Sequence, residues 1–548
     1  MAYTAAHDSS VCVINDGDVE YFCKEERLSR EKRDGAPFLA VQKYKEKFNG
    51  KIDHILFCTP TNLPGAGYNF VNYIRKNFGV EQENYSALKH HICHASLAFY
   101  NSGFDECLVF TIDRNGSLFF INEKPVCRES ESVFVCSGNN TIKPVYKSFW
   151  VMNGHEWDLY RIKTQLREYY GDVDLEVDSP YSIVKVYEAA TTLIKQNVLE
   201  NGKTMGLSSY GRNKEYDSLF IKNRPIPNHF VQMFDLDNEH GAVHFSDSLH
   251  LIEKNITPEN FQYYADKAKQ VQVQTQEVVC NLIEKYVKLT GIKNVCLVGG
   301  YGLNVVANGF YIKKLPNVKF YFEPIADDAG ISVGASMLKY SELTGEKPLS
   351  IKNNFFHFYD FEEKINEGEQ SSLEEICNLL ISGKSVAIFE GQPESGPRAL
   401  GHRSILFDPR NKNGKNLVNK IKKREWYRPF AGTILKEKFE EYFESHGLTE
   451  SPYMTINFSC KEKTIDFVPA IVHVDNTCRI QTVEDGFFYE LLEMFYEKTG
   501  CPMLLNTSFN LAGEPLVQTK KEALKTFNNT TLDAIYFVDE NKIVKKND

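Results

Sequence analysis

Apolar positions along the chain change period several times, and each change marks an element. The clearest helix runs from Phe261 to Leu289, where Tyr264, Ala268, Val271, Thr275, Val278, Leu282, Tyr286 and Leu289 fall on one stripe at helical spacing. It stops at Gly291 and feeds a β-branched run, Val295 to Val298, that enters Gly299-Gly300. Near the start, Val11 to Ile14 and Val19 to Cys23 flank Asp16-Gly17, the signature of a hairpin. Ile52 to Cys58 reads as a buried strand and His91 to Tyr100 as a helix. Leu108 to Asp113 is a further strand, turning at Asn115-Gly116 into Leu118 to Ile121. Strand-then-helix alternation of this kind predicts an α/β domain with ligands at the carboxyl ends of its strands.

The stretch from Gly138 to Ser179 fits neither period and is rich in aromatic and polar residues (Tyr146, Phe149, Trp150, Trp157, Tyr160, Tyr169, Tyr170). Thr344 to Asn354 is polar and turn-rich, the best linker. Beyond it the alternation restarts, with a helix at Leu373 to Ile381, a strand at Ser385 to Phe389, an apolar run at Val468 to Val474 and a helix at Phe487 to Thr499. Met503 to Asn506 and a unit from Lys520 to Val538 close the pattern. No internal repeat is visible. At 548 residues the chain exceeds what one core supports, so two domains are expected, 1–345 and 355–548.

Composition changes this picture little: 42% hydrophobic and 25% charged residues are ordinary for a globular protein. The net charge of -10 argues against a generic nucleic-acid binder while leaving room for a local basic site. No cationic-then-apolar start and no apolar run near twenty residues occur, so neither a signal peptide nor a membrane span is expected, and the expected location is the cytoplasm. The 13 cysteines form no CxxC pair, which favours reduced thiols over a zinc ribbon.

Against that acidic background the segment Glu394 to Phe430 stands out. Arg398, Arg403, Arg410, Lys415, Lys420, Lys422, Lys423, Arg424 and Arg428 alternate there with apolar anchors such as Ala399, Leu400, Ile405 and Phe430. A charge run alone is usually a solvated face. Interleaved Gly-Pro-Arg and Arg-Pro-Phe turns favour a packed pocket for a polyanion instead, because guanidinium groups pair with phosphate and carboxylate. In the first half, His90 and His94 are four apart in HHICHA and share a helix face, half of a metal site. Asp113 and Asp327-Asp328 lie where carboxylates can face a crevice; a capping or packing role for the histidines is an even alternative. The run Leu297 to Gly309, with Gly299, Gly300, Gly302 and Asn304, reads as strand, glycine turn and helix, open to a phosphate or purine. It is neither a GxGxxG fingerprint nor a Walker motif. Gly202 to Gly211 reads as a second glycine-bracketed loop whose Lys203 can meet a phosphate. His7 is a candidate proton acceptor for a substrate hydroxyl, with a structural role equally open.

These pieces in this order resemble the O-carbamoyltransferases of antibiotic and nodulation-factor biosynthesis. The matching residues are His7-Asp8-Ser9, EERLSREK (Glu25 to Lys32), HHICHA, TIDRNG, GKTMGLSSYG, LVGGYGLNVVANG and DDAGISVGA, then GPRALGHRSIL, IKKREWYRPFAGTIL, VPAIVHVDNTCRIQTV and LLNTSFNLAGEPLV. The resemblance implies an actin-like ATPase (ASKHA) domain followed by a YrdC-like α/β domain. It implies that the second domain activates carbamoyl phosphate with ATP and Mg2+ to carbamoyl-adenylate, and that the first transfers the carbamoyl group to an acceptor hydroxyl. It further implies iron(II), or another divalent metal, on His90, His94, Asp113 and Asp328, with His7 as general base. Screening two anions then falls to Arg398, Lys423, Arg428 and Arg479, with Ser508 and Asn510 hydrogen-bonding phosphate or carbamate oxygens. Arg403 and Asn506 join Asn510, Lys203 and the glycine turn as expected nucleotide-binding residues.

The chain departs from the family pattern at Ser395, where an aromatic usually precedes Gly-Pro-Arg, and at Ser182 to Lys185, near the expected acceptor region. The acceptor stays open at this level: a sugar or polyketide of a small natural product, or a hydroxymethyl pyrimidine in a nucleotide or in DNA. Threonylcarbamoyl-type tRNA modification and a non-enzymatic actin-like nucleotide switch are the alternatives.

Overall fold

The structure is a computed structural model that describes the chain except residues 6, 49–50, 59–67, 82–83, 139, 153–157, 180–181, 195–196, 198, 226–255, 352–364, 366 and 547–548. It divides into two compact units, Met1–Val19 with Asn49–Ile351, and Glu20–Phe48 with Lys352–Asp548. The segment Glu20–Phe48, inside the first domain expected from sequence, thus belongs to the second unit.

In the first unit a small sheet runs Ser10–Asn15, Ala2–Thr4, Ile55–Cys58, Tyr85–Leu88, antiparallel at the first pair and parallel after it. A two-residue turn leaves Ser10–Asn15 through Asp16 (φ 46°) and Gly17 (φ 84°), the backbone that Asp-Gly favours. A seven-stranded sheet has the order Asp174–Ser179, Thr141–Val151, Lys124–Ser137, Glu106–Ile112, Asn294–Val298, Lys319–Phe322, with Leu118–Ile121 paired to Lys124–Ser137. Its central strands are parallel, Val295 to Val298 in register with Leu108 to Thr111, and nearly all of their side chains are buried.

Helix Pro258–Thr290 realises the long apolar stripe. Pro258 opens it, where a missing N–H costs nothing, and Gly291 closes it at φ 76°. The helices His90–Ser102 and Ile331–Thr344 pack face to face. A Cβ on Gly334 would stand 1.9 Å from the Cys93 carbonyl oxygen, so only glycine permits that approach.

The second unit is built on a nine-stranded mixed sheet in the order Glu369–Gln370, Lys542–Lys545, Ala534–Phe537, Val386–Phe389, Arg403–Phe407, Met503–Ser508, Ala431–Leu435, Thr477–Val483, Asn457–Ser459. Ala387, Phe389, Ile405, Phe509, Phe527, Leu532, Ile535 and Phe537 form its core on one side. Each buried aromatic there contributes about 2–3 kcal/mol of burial.

Two expectations change. Gly138 to Ser179 contains the strand Thr141–Val151, the helix Leu159–Tyr170 and the strand Asp174–Ser179; Trp157 lies outside the described residues. Gly202 to Gly211 is mostly helix, Asn201–Ser208. The apolar run Val468 to Val474 lies just before the strand Thr477–Val483. In the linker, Gly345 ends a helix at φ 73°, and residues 352–354 lie outside the described set. All 13 cysteines are free thiols. Among the described residues no helix is long and apolar enough to cross a membrane.

Candidate metal centre and anion pocket

His90 and His94 sit one turn apart at the start of helix His90–Ser102. Asp113 follows strand Glu106–Ile112 at its carboxyl end, and Asp328 opens the short turn before helix Ile331–Thr344. The four side chains are buried, and one ligand atom from each lies within 4.8 Å of the others. His90 Nε2 is 3.2 Å from Asp113 Oδ2, 3.4 Å from Asp328 Oδ1 and 3.1 Å from His94 Nε2, which is 3.6 Å from the same Asp328 oxygen. Two imidazole nitrogens aimed at each other between two carboxylates are the donor set of a divalent cation.

The electrostatics agree. Against the cost of burial, Asp328 and Asp113 raise His90 to about 10. Both carboxyls are in turn held below the usual carboxylate range by these imidazoles, despite burial. The pocket takes up positive charge where a cation fits. His7 flanks it, with Nε2 3.6 Å from Asp328 Oδ2 and Nδ1 3.0 Å from Asp8 Oδ2. Its pKa stands at about 9, raised against burial by Asp328 and then Asp8.

The glycine turn serves this centre. Gly299 adopts φ 87°, where a Cβ would lie 2.6 Å from the Ile112 carbonyl oxygen, and the Gly300 N–H donates to Asp113 Oδ1 at 2.9 Å. Gly302 lies in the same turn. Asn304 is committed locally: its Oδ1 accepts from Ala307 N–H at 3.1 Å to cap helix Val305–Lys314, and its amide pairs with Gln272. Lys203 is paired with Glu200 at 2.8 Å on helix Asn201–Ser208. Neither residue is drawn into the His–Asp cluster.

The second unit gathers the cations. Lys422 is buried and donates to the Ser508 carbonyl, to Ser508 Oγ at 3.0 Å and to Asn510 Oδ1 at 2.9 Å. Ser508 Oγ donates to Asn510 Oδ1 at 2.6 Å. Burial, then repulsion from Arg424, Arg428 and Lys32, holds Lys422 well below the usual lysine range. Arg424 is lowered in the same way by burial, Arg428 and Arg479, and Arg479 by burial, Arg398 and Arg428. Arg479 Nε is buried with no acceptor. Side chains that repel one another at such range are the complement of an anion.

Three expected binders take other roles. Lys423 is exposed, at φ 50°, and its neighbour Lys422 enters the pocket. Arg403 is buried with its guanidinium on the carbonyls of Glu390, His402, Gly391 and Gln518 and over the Phe389 ring at 3.5 Å, so it braces the loop. Asn506 donates from Nδ2 to Ala399 O, Thr433 Oγ1 and Gln481 Oε1, beneath the pocket. Sequence reasoning counted Lys422 and Arg424 among the cations of the basic segment but passed over them as individual ligands. It also passed over Glu394, whose Oε1 accepts from the N–H groups of Leu400, His402 and Arg403 and shapes the loop bearing Arg398. In the first unit it passed over Arg114, Arg128 and Glu188; only the unusual Ser182 to Lys185 run pointed there.

Comparison with known proteins places this geometry. The carbamoyltransferase N-terminus model matches residues 69–337 and the carbamoyltransferase C-terminus model residues 377–546. The chain belongs to the carbamoyltransferase family and is a carbamoyl-transferring enzyme. It is 27% identical to nodulation protein NolNO of Sinorhizobium fredii, over 97% of this chain and 78% of that one. Nodulation protein NolO of Bradyrhizobium diazoefficiens is 28% identical over 82% and 77%. An uncharacterized Synechocystis protein is 30% identical over 84% and 76%. The crystal structure of full-length HypF in its phosphate- and nucleotide-bound form covers 63% of this chain and 56% of its own, at 14% identity and a TM-score of 0.38, too loose a fit to assign either unit to a named fold.

Proposed function

We propose that the chain is an ATP-dependent O-carbamoyltransferase that works in two steps, one in each unit, with the first unit an actin-like ATPase-superfamily domain and the second YrdC-like. In the second unit a water oxygen bonds to the carbonyl carbon of carbamoyl phosphate, the bond from that carbon to the phosphate oxygen breaks, and carbamate and phosphate result. A carbamate oxygen then attacks the α-phosphorus of ATP, brought with Mg2+, and pyrophosphate leaves. Lys422, Arg424, Arg428, Arg479 and Arg398 screen the charges of both anions, while Ser508 and Asn510 orient their oxygens. A mixed anhydride of this kind is short-lived in water, so both steps call for exclusion of solvent.

In the first unit a cation held at Asp328 would offset the charge that keeps His7 protonated, leaving His7 Nε2 free to take the proton of the acceptor hydroxyl while Asp8 holds the other ring nitrogen. The hydroxyl oxygen bonds to the carbamoyl carbon, the bond from that carbon to the adenylate oxygen breaks, and AMP departs with the electron pair. His90, His94, Asp113 and Asp328 would hold a divalent metal, iron(II) in this reading, which supplies Lewis acidity at the carbamoyl group. The Gly300 N–H, donating to Asp113 Oδ1, keeps that carboxylate in place. We place the enzyme in the cytoplasm, where its thiols stay reduced.

The observation that carries this reading is the buried cation cluster around Lys422 in a chain of this family. Its test is pyrophosphate release from ATP by the wild-type chain, with and without carbamoyl phosphate. Release that needs carbamoyl phosphate is expected; release that ignores it, or none, counts against the mechanism. Elemental analysis of the purified chain is expected to find about one iron per chain, lost in Asp328→Ala.

A further inference from the structure

A second group of cations, which neither step uses, stands beside the metal centre in the first unit. Arg114 directly follows Asp113, and its charge is felt at His7. Arg128 lies on strand Lys124–Ser137, opposite Trp150 on the neighbouring strand. Lys185 occupies the first turn of helix Ile183–Leu193, fixed there by its N–H donating to Ser182 Oγ at 3.1 Å. Arg114 and Arg128 both repel Lys185, and Arg114 repels Arg128, so the three form one cluster. Glu188, 2% exposed, ties it together: Arg114 Nε lies 2.8 Å from one oxygen and Lys185 Nζ 3.9 Å from the other.

The three cations remain partly open, Arg114 at 12% and Lys185 at 15% side-chain exposure, with Arg128 half-buried. The buried Nε of Arg128 has no acceptor. The Trp150 indole, with the Lys185 ammonium 5.9 Å from its ring centre, adds an apolar wall. Holding like charges together out of water is costly, burial and mutual repulsion bringing Lys185 down to about 8 and Arg128 to about 10. A phosphate group relieves that cost, two guanidinium groups and an ammonium being its usual partners. A phosphomonoester offers three terminal oxygens to these three cations, whereas the phosphate of an acyl adenylate offers only two.

We infer that Arg114, Arg128 and Lys185 seat the phosphate of the acceptor, so that the hydroxyl carbamoylated at His7 belongs to a small phosphomonoester. The inference rests on the transfer step proposed above. Bound by its phosphate at this cluster, the acceptor presents its hydroxyl to His7, and the reaction yields its carbamate ester, AMP and a proton taken up by the imidazole.

The first test titrates inorganic phosphate into the Arg428→Ala chain, in which the second unit's pocket is weakened, alone and with Arg128→Gln added. Phosphate binding that Arg128→Gln weakens tenfold or more supports the subsite; no binding, or binding unchanged by the substitution, overturns it. Lys185→Gln replaces Arg128→Gln in the same titration if the latter does not melt cooperatively. The second test needs only the wild type: transfer to a hydroxymethyl pyrimidine nucleoside against its 5′-monophosphate, and to glucosamine against its 6-phosphate. A tenfold or greater preference for the phosphorylated member of either pair is expected. No preference, no transfer to either phosphate, or faster transfer to a hydroxymethylated oligonucleotide overturns the assignment. Pyrophosphate release dependent on carbamoyl phosphate is followed alongside. Its absence sinks the two-step reading itself, whereas its presence with a negative result above sinks only the acceptor subsite.

Discussion

Lys422 and Lys423 are neighbours of the same type whose side chains go to opposite environments. Lys422 is buried on Ser508 and Asn510, while Lys423 is solvated. Lys422→Met is therefore expected to slow pyrophosphate release by about 10²–10³-fold, the usual loss for one preorganised charge at a developing anion. Lys423→Met should stay within about twofold in the same assay. The pH dependence follows from the sign of the shift. Lys422 is depressed in the folded chain, so between its folded and unfolded pKa values the unfolded chain binds the extra proton, and stability rises with pH. An anion restores the ammonium, so its binding takes up a proton and weakens as pH rises. Calorimetry of carbamoyl phosphate binding in two buffers of different ionisation enthalpy measures that uptake, and no difference between them would contradict the assignment. The composition of the basic segment was legible in the sequence, but which of two adjacent lysines turns inward was not. The left-handed backbone at Lys423 decides that, and no local pattern announces it.

At the scale of elements, the helix Pro258–Thr290 was plain from its apolar stripe because Ala268, Val271, Thr275, Val278 and Tyr286 line one buried face, with Tyr264 and Leu282 half-buried beside it and only Leu289, in the last turn, exposed. The paired strands Lys124–Ser137 and Thr141–Val151 were obscure for the converse reason. Glu129, Ser130, Glu131, Ser132, Lys147 and Ser148 are all buried, so polar residues occupy positions where alternation requires apolar ones. Their cohesion comes partly from an ion pair, Lys147 Nζ to Glu129 Oε1 at 2.6 Å, with Ser117 N–H and Tyr170 Oη also donating to Glu129. Removing one partner strands the other, so Lys147→Met is expected to lower unfolding stability by about 3–5 kcal/mol in denaturant titration. Glu129 is drawn down to about 2 by Lys147 and His91 against the pull of burial. A depressed carboxyl contributes stability that is complete above the unfolded pKa of about 4.5 and is lost as pH falls towards about 2. Glu129→Gln should flatten the acid limb of the stability curve over that window; an unchanged limb would refute the role of the pair.

At the scale of the molecule, the two halves seen in the sequence carry the two clusters, one of carboxylates and imidazoles and one of cations. What the sequence did not disclose is the exchange of Glu20–Phe48 into the second unit. Nothing in its local pattern marks this, since its ties are long-range. Arg27 donates to Gly396 O at 3.1 Å, and Arg30 to Leu516 O at 2.6 Å and Pro515 O at 3.0 Å. Glu25 accepts from Leu39 and Ala40 N–H, closing the segment on itself. A fragment of residues 352–548 alone is expected to melt without cooperativity by calorimetry, and adding residues 20–48 by a short linker to restore a single transition. Cooperative melting of the shorter fragment would show the segment to be dispensable.

The division of labour between the units is the central claim, and one comparison tests it directly: carbamoyl phosphate-dependent pyrophosphate release and carbamoyl transfer, each measured for Arg428→Ala and for His7→Gln. The account predicts that Arg428→Ala loses both activities, while His7→Gln keeps pyrophosphate release and loses transfer. Pyrophosphate release lost from His7→Gln to the same extent as transfer, or retained in full by Arg428→Ala, would contradict it.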